Sequence, residues 1–271
     1  MHSASGQTTD ERFQQVGNYR SGDGLAARQG IFAYKTPAYD LPGVVSANLT
    51  GEPKRVLDVG CGNGRYTARL REAFPGAEVI GVDLASGILE SVAEPTVVAD
   101  VADLPFEDGS ADVVLAMHML YHVPDIPAAL DELQRVLAPG GVLFVSTNAS
   151  DDKAEYVPIW QDAAKAVLGA EVRLTLSALL ERFSLETAQS MLAERFDRVV
   201  LHDLPGVIEL PEPGPLVAAF RSEEDFIGLP PEDFERLMGE IERRLGEHFE
   251  QQDVLRITSH GGILECRGAK G

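Results

Sequence analysis

The stretch VLDVGCGNGRYT, Val56 to Thr67, joins three unlike kinds of sequence in twelve residues. VLDV is apolar, short and rich in β-branched residues, the pattern of a buried strand. The chain then breaks at Gly60, Gly62 and Gly64 and turns helix-like through TARLREAF. A strand, a glycine turn and a helix start form a nucleotide-site pattern. Glycine lets backbone approach a ligand closely, and a helix start offers N–H groups that lack partners. A dinucleotide fingerprint would read G-x-G-x-x-G. Here the loop is G-C-G-N-G, and Arg65 stands where the third glycine would be. Cys61, between the glycines, reads as a residue small enough to fit the turn.

Working outward, strands and helices alternate. Val56–Val59 reads as strand, Tyr66–Phe74 as helix, Glu78–Val82 as strand and Ser86–Val92 as a short helix. Thr96–Ala99 and Asp112–Met117 read as strands, Ile126–Leu137 as helix and Val142–Ser146 as strand, with LAPGG ending the helix. This alternation predicts an α/β, doubly wound, mostly parallel sheet with helices on both faces. Residues 52–149 make this core within an expected single domain, 1–271. Residues 1–51 form an N-terminal helical arm holding Tyr19, Arg28 and Tyr34, and residues 150–183 and 207–252 a helical cap. Helix Leu185–Glu194 and strand Arg198–Leu204 lie between the cap segments. Two helices fall in 213–250, the second (Pro231–Glu247) strongly charged. Val254–Thr258 and Ile263–Arg267, flanking SHGG, predict a tight hairpin.

Charge and composition exclude several classes. A net charge of -20 argues against a broad basic surface for nucleic acid. The opening MHSASGQTTDERF is polar, without the apolar centre of a secretory signal. No apolar run is long enough to span a bilayer. Cys61 and Cys266 alone do not make a disulfide scaffold. A soluble, cytoplasmic protein with a small-molecule substrate, and with neither nucleic acid nor membrane as partner, is expected. The sequence leaves its oligomeric state open.

Acidic residues narrow the choice of cofactor. Asp83 ends the second strand, about twenty residues beyond the glycine loop, where an acid accepts both ribose hydroxyls. Asp58 precedes Gly60 on the first strand, so its carboxylate is expected to point into or beside the loop. There it would repel a pyrophosphate and attract an amino group or a sulfonium. The alternative is a carboxylate that only accepts hydrogen bonds from loop N–H groups. Asp100 ends the third strand on the same sheet edge. Three acids there suit a ligand with an amine, a diol and an exocyclic adenine amine, and suit a diphosphate poorly.

VLDVGCGNG, GVDLASGIL, ADVADLPFEDGSADVV, MHMLYHVPD and LAPGGVLFVST, in this order, resemble the class I S-adenosylmethionine-dependent methyltransferases. The resemblance covers Val56 to Asn148. It implies a seven-stranded sheet in the order 3-2-1-4-5-7-6, with strand 7 antiparallel. It also implies that Gly60, Gly62 and Gly64 pass under the methionine and ribose of the cofactor. Asp83 would bind the ribose, Leu84 would pack on adenine, and Asp100 with the Val101 N–H would read the adenine edge. Met117 would lie beside the methionine end, where many relatives carry Asn. Tyr19 stands where relatives often have an aromatic covering the cofactor, so the arm is expected to order over it.

The implied activity is transfer of the S-adenosylmethionine methyl group to an oxygen, nitrogen or carbon of a small molecule, with a specialised metabolite favoured. A cyclase or lyase using the same cofactor, and a non-catalytic cofactor binder, are the alternatives. No metal is expected. The fourth strand ends in AMHML, without the acid of catechol-binding relatives, and Asp151 with Asp152 reads as a helix start. The N-P-P-Y turn of DNA-amino enzymes and the Pro-Cys nucleophile of cytosine-carbon enzymes are both absent.

His118 and His122 bracket Leu120 and Tyr121 at the end of the fourth strand. An imidazole there has the pKa to take a proton from a hydroxyl or amine, which makes His118 the expected general base. His122 is also read as capping or packing the next turn. His260, in SHGG, reads as structural. Tyr156 and Trp160 lie four apart on one helix face, and with Tyr34 they line either an aromatic substrate pocket or an ordinary helix contact.

Overall fold

The computed structural model describes residue 27 and residues 30–270; Tyr19 and Arg28 lie outside the described residues. A 3-10 turn, Ile31–Tyr34, leads into β1 (Lys35–Thr36), α1 (Leu41–Ala47), β2 (Arg55–Val59), α2 (Arg65–Ala73) and β3 (Glu78–Asp83). Next come α3 (Ser86–Leu89), β4 (Thr96–Val98), β5 (Ala111–Met117), a 3-10 turn at Leu120–His122, α4 (Ile126–Val136) and β6 (Leu137–Asn148). Helices α5 (Tyr156–Leu168), α6 (Thr175–Arg182) and α7 (Leu185–Arg195) precede β7 (Phe196–Leu210). The chain ends with α8 (Gly214–Arg221), α9 (Glu224–Ile227), α10 (Pro231–Gln251) and β8 (Leu255–Ala269).

Strand pairing runs β1-β7-β8-β6-β5-β2-β3-β4. Without β1 this is the expected 3-2-1-4-5-7-6, and β8 pairs antiparallel with β6 as expected. The strand count is corrected from seven to eight. β1 adds an antiparallel pair, Lys35 opposite Ile208 and Thr36 opposite Val207. Two residues carry no readable period, so no pattern announced it.

The chain forms two compact units. One gathers residues 39–149, 182–204 and 261–271; we call it the sheet unit. The other gathers the described residues up to 38 with 150–181 and 205–260; we call it the helical unit.

In the sheet unit, β2, β3, β4, β5 and β6 are parallel neighbours, so their carboxyl ends share one edge. Helix α4 shows why the packing holds. Asp125 caps it by accepting from the Ala128 N–H at 3.0 Å, and Pro127 sits where a missing N–H costs nothing. Its buried face, Ile126, Ala129, Leu130, Leu133 and Val136, follows the three-and-four spacing and lies in the core of Leu57, Val59, Val114 and Val145. The other sheet face buries Val56, Leu70, Leu115 and Phe144. Removing a side chain such as Leu130 from such a core costs about 2–5 kcal/mol.

The helical unit has its own core. Along α10, Phe234, Leu237, Met238, Ile241 and Leu245 are buried and pack with Ile31, Trp160, Leu216 and Phe220. The exposed side of α10 carries Arg–Glu pairs, among them Arg243 with Glu240 and Arg244 with Glu240.

Two local expectations are corrected. SHGG is not a hairpin turn; residues 255–269 are one continuous strand. Gly262 lies opposite Thr147 of β6, and a Cβ on it would come within 2.8 Å of a Leu201 methyl. The glycine is there for close packing and has no positive φ. The 213–250 region holds three helices, because α9 adds a single turn between α8 and α10. Among the described residues, no helix is long and apolar enough to cross a membrane.

Candidate functional site

Strand register brings the expected residues to one edge of the sheet unit. Val59 lies beside Val82 of β3 and Val59 beside Ala116 of β5, so Gly60 follows at the level of Asp83 and Met117. Asp83 pairs with Val98 of β4, and Asp100 comes two residues later. This is where doubly wound sheets bind ligands, outside the carboxyl ends of their strands.

The loop is held open from below. Gly60 and Cys61 donate their N–H groups to Val82 O at 2.8 and 3.0 Å. Gly60, Gly62 and Gly64 all take positive φ, 69°, 54° and 74°. A Cβ on Gly60 would collide with Met119 (2.7 Å) and one on Gly64 with Val92 (2.9 Å), whereas Gly62 faces open space. Gly62 therefore supplies the close backbone approach a ligand needs, while its neighbours seat the loop. Cys61 packs with Ile88, Leu89 and Val92, and burial pushes its thiol well above the usual range, so it is a small apolar filler.

Asp83 accepts from the Gly62 N–H at 2.9 Å and the Ala85 N–H at 3.0 Å, one on each oxygen. Each oxygen keeps a second lone-pair direction for a ligand hydroxyl. Asp58 is placed differently. It is fully buried and accepts from the Thr67 hydroxyl of α2 at 2.5 Å, and burial pushes its carboxyl up to about 6. Its carboxylate ties β2 to the first turn of α2, which is closer to the structural alternative than to a ligand contact. Thr67 was missed by the sequence reading; its signal is a hydroxyl in the helix turn after the loop.

Two apolar side chains stand uncovered at this edge, Leu84 (43% exposed) and Val98 (56% exposed). Asp100 turns back on its own loop, accepting from the Ala102 N–H at 2.9 Å, while the Val101 side chain is buried in the core. Glu132 and Arg135 of α4 pin that loop. Glu132 accepts from the Leu104 N–H at 2.7 Å, and Arg135 donates to the carbonyls of Leu104 and Phe106. An apolar platform, a carboxylate with spare acceptors and an open glycine loop fit an adenosine. The edge shows no basic side chain suited to a pyrophosphate among these residues.

Met117 is buried at the end of β5. His118 follows in the left-handed region, φ 54°, with its N–H donated to Ser146 O at 3.1 Å. A non-glycine residue held there is uncommon, and such backbone clusters at functional sites. Ser146, level with Met117, buries a hydroxyl with no hydrogen-bond partner among the described residues. His122 packs edge-on against Tyr121, ring centroids 4.5 Å apart, and its N–H donates to Met119 O. Arg182 holds the next turn by donating to the carbonyls of Val123 and Pro124.

Tyr34, Tyr156 and Trp160 belong to the helical unit. Trp160 is fully buried, stacks at a tilt on Phe220 (5.3 Å) and donates its indole N–H to Val172 O at 2.9 Å. Tyr156 meets the same Phe220 edge-on at 5.0 Å. The four-residue spacing thus produces a core contact, and Tyr34 packs against that core half-buried. Asp151 and Asp152 do not start a helix: Asp152 is buried, paired with Lys153. Among the described residues, no three His, Cys, Asp or Glu side chains are arranged to hold a metal ion.

Residues 57–145 match the family described as Methyltransferase domain. Over 124 residues the chain is 36% identical to the malonyl-[acyl-carrier protein] O-methyltransferase of Hahella chejuensis, covering 43% of this chain and 44% of that one. It is 43% identical over 113 residues to the ubiquinone biosynthesis O-methyltransferase of Xanthomonas oryzae, covering 38% and 46%. The aligned segment thus spans less than half the length of these curated relatives. In fold, the chain is similar to phosphoethanolamine N-methyltransferase 2 of Haemonchus contortus in complex with S-adenosyl-L-methionine. The TM-score is 0.54 at 16% identity, covering 98% of this chain and 61% of that one. The matched segment runs from within β2 through most of β6 and holds the carboxyl ends of β2, β3, β4 and β5. Residues 57–145, which carry these strand ends, are thus similar to methyltransferase domains, and part of the chain is similar to O-methyltransferases.

Proposed function

We propose that this chain binds S-adenosylmethionine at the β2–β5 edge and transfers its methyl group to a small-molecule acceptor. One observation carries the reading. An open glycine loop, the Asp83 carboxylate and the uncovered Leu84–Val98 platform meet at one sheet edge, inside the segment that matches the methyltransferase family. The relatives' O-methyltransferase names support a small or carrier-linked acceptor.

When bound, this cofactor supplies a methyl group already activated by a sulfonium, so the protein's task is alignment and exclusion of water. Asp83 would hold the ribose hydroxyls and Leu84 and Val98 would cover the adenine, while Asp100 would accept from the adenine amino group and the Val101 N–H would donate to a ring nitrogen. Gly60 to Gly64 would hold the amino-acid end, beside Met117. His118, fixed by its N–H bond to Ser146, takes the proton from a hydroxyl or weakly acidic nitrogen on the acceptor.

Transfer of a radiolabelled methyl group from S-adenosylmethionine to a panel of small acids, phenols and amines tests this. Label in an acceptor is the expected result. Cofactor binding without transfer to any acceptor would leave a binding module.

A further inference from the structure

The loop between β4 and β5, residues 99–110, carries Asp100 and Val101, and the last turn of α4 holds it in place. The Arg135 guanidinium has five N–H donors, and five acceptors surround it. Two belong to Glu132: Nε donates to Oε2 and a terminal nitrogen to Oε1, both at 2.7 Å. The other three belong to the loop, namely Leu104 O at 3.0 Å, Phe106 O at 2.8 Å and Asp108 Oδ1 at 2.6 Å. Glu132 Oε1 also accepts from the Leu104 N–H at 2.7 Å, and the Arg135 carbonyl accepts from the Gly109 N–H at 2.8 Å. Inside, the Val101 and Leu104 side chains are buried in the sheet core.

This framework leaves one donor and one acceptor over. Asp100 closes a turn on itself, its carbonyl accepting from the Asp103 N–H at 3.0 Å and its Oδ1 from the Ala102 N–H at 2.9 Å. Its Oδ2 accepts from no donor among the described residues, and the Val101 N–H meets no acceptor among them. An acceptor and a donor one residue apart match the exocyclic amine and the neighbouring ring nitrogen of adenine. Hypoxanthine reverses both, presenting an oxygen to the carboxylate and a ring N–H to the backbone N–H. The match depends on where the 100–103 turn sits, and Arg135 with Glu132 sets that from outside the turn.

We propose that Arg135 and Glu132 are positioning residues that set the base specificity of the cofactor site, holding the 100–103 turn where Asp100 and the Val101 N–H pair with adenine and reject hypoxanthine. Both act through the loop and not on the base, since their polar atoms are spent on each other and on residues 104–109. A lysine in place of Arg135 keeps the charge but has three donors and no planar fork, so it cannot bind Glu132 and three loop acceptors together. The proposal rests on the S-adenosylmethionine reading above.

Calorimetry on the full chain with S-adenosylhomocysteine and S-inosylhomocysteine, which differ only at the base edge, tests it. The native chain prefers the adenine ligand about a hundredfold, the scale of one lost charge-assisted hydrogen bond plus a repulsion. Arg135→Lys and Glu132→Gln each narrow that ratio severalfold. Asp100→Asn, whose amide can donate to the hypoxanthine oxygen, narrows it too, and does so less in the Arg135→Lys chain than alone, because both act through one turn. A merely structural pair would weaken both ligands alike. An unchanged ratio in either folded variant, or equal affinities in the native chain, therefore overturns the proposal while S-adenosylhomocysteine still binds. Failure of the native chain to bind S-adenosylhomocysteine overturns the cofactor reading itself, and this proposal with it.

Discussion

The strand ends of the sheet unit and the Asp152–Tyr156 turn of the helical unit both gather polar groups, by opposite means. At the sheet edge the acids are answered by nearby backbone: Asp83 by Gly62 and Ala85, Asp100 by Ala102. In the helical unit Asp152 and Glu155 are answered by His260 and Thr258, a hundred residues away. The family match covers the first region and stops at residue 145, before the second begins. A cofactor site built from local loops can be shared across relatives. A site built from long-range contacts is free to differ.

If chemistry resides at the sheet edge, the largest effect should fall on His118. His118→Asn keeps a residue that tolerates the left-handed backbone while removing the base. Turnover should fall by about 10²- to 10⁴-fold with cofactor affinity nearly unchanged, read by steady-state kinetics beside His122→Asn. Full turnover in His118→Asn would leave alignment as the whole mechanism, and a larger loss at His122 would move the base there.

The glycine loop separates seating from ligand approach. Gly60→Val meets both a positive φ and the Met119 side chain, and should cost about 3–5 kcal/mol in denaturant unfolding. Gly62→Ala meets open space and only the backbone strain, about 1–2 kcal/mol, yet should weaken cofactor binding more than its stability loss suggests. Equal losses at both positions would merge the two roles.

A pH-dependent effect concerns Asp58. Its carboxyl is raised from 3.8 to about 6, so the folded state binds the proton more tightly. Stability from this group is present at low pH, falls as pH rises between about 4 and 6, and stays lower above that, by roughly 2–3 kcal/mol. Asp58→Asn should flatten that part of the stability curve. An unchanged slope would mean Thr67 and the helix start stabilise the ionised form fully.

The sheet edge was legible because its signals are local. Val56 to Thr67 carries the strand, the turn and the helix start in one run, and Asp83 and Asp100 fall at strand ends that periodicity marks. β1 was not legible, since it exists only through pairing with residues 207 and 208. SHGG misled because paired glycines usually mean a turn, while here Gly262 makes room for Leu201 and Leu185. Asp151 and Asp152 looked like a helix start, because the partner that holds Asp152 away from that role, the His260 N–H, lies far along the chain. Trp160 and Tyr156 were rightly paired by spacing, but spacing could not tell a core face from a pocket wall.

The central claim is that the β2–β5 edge is a site for S-adenosylmethionine, and calorimetry on the full chain with S-adenosylhomocysteine and with NAD tests it most directly. The account predicts micromolar binding of S-adenosylhomocysteine, none measurable for NAD, and a loss of at least about tenfold in Asp83→Ala, the scale of a hydrogen bond to a charged group. Micromolar NAD binding, or S-adenosylhomocysteine affinity unchanged in Asp83→Ala, would contradict it.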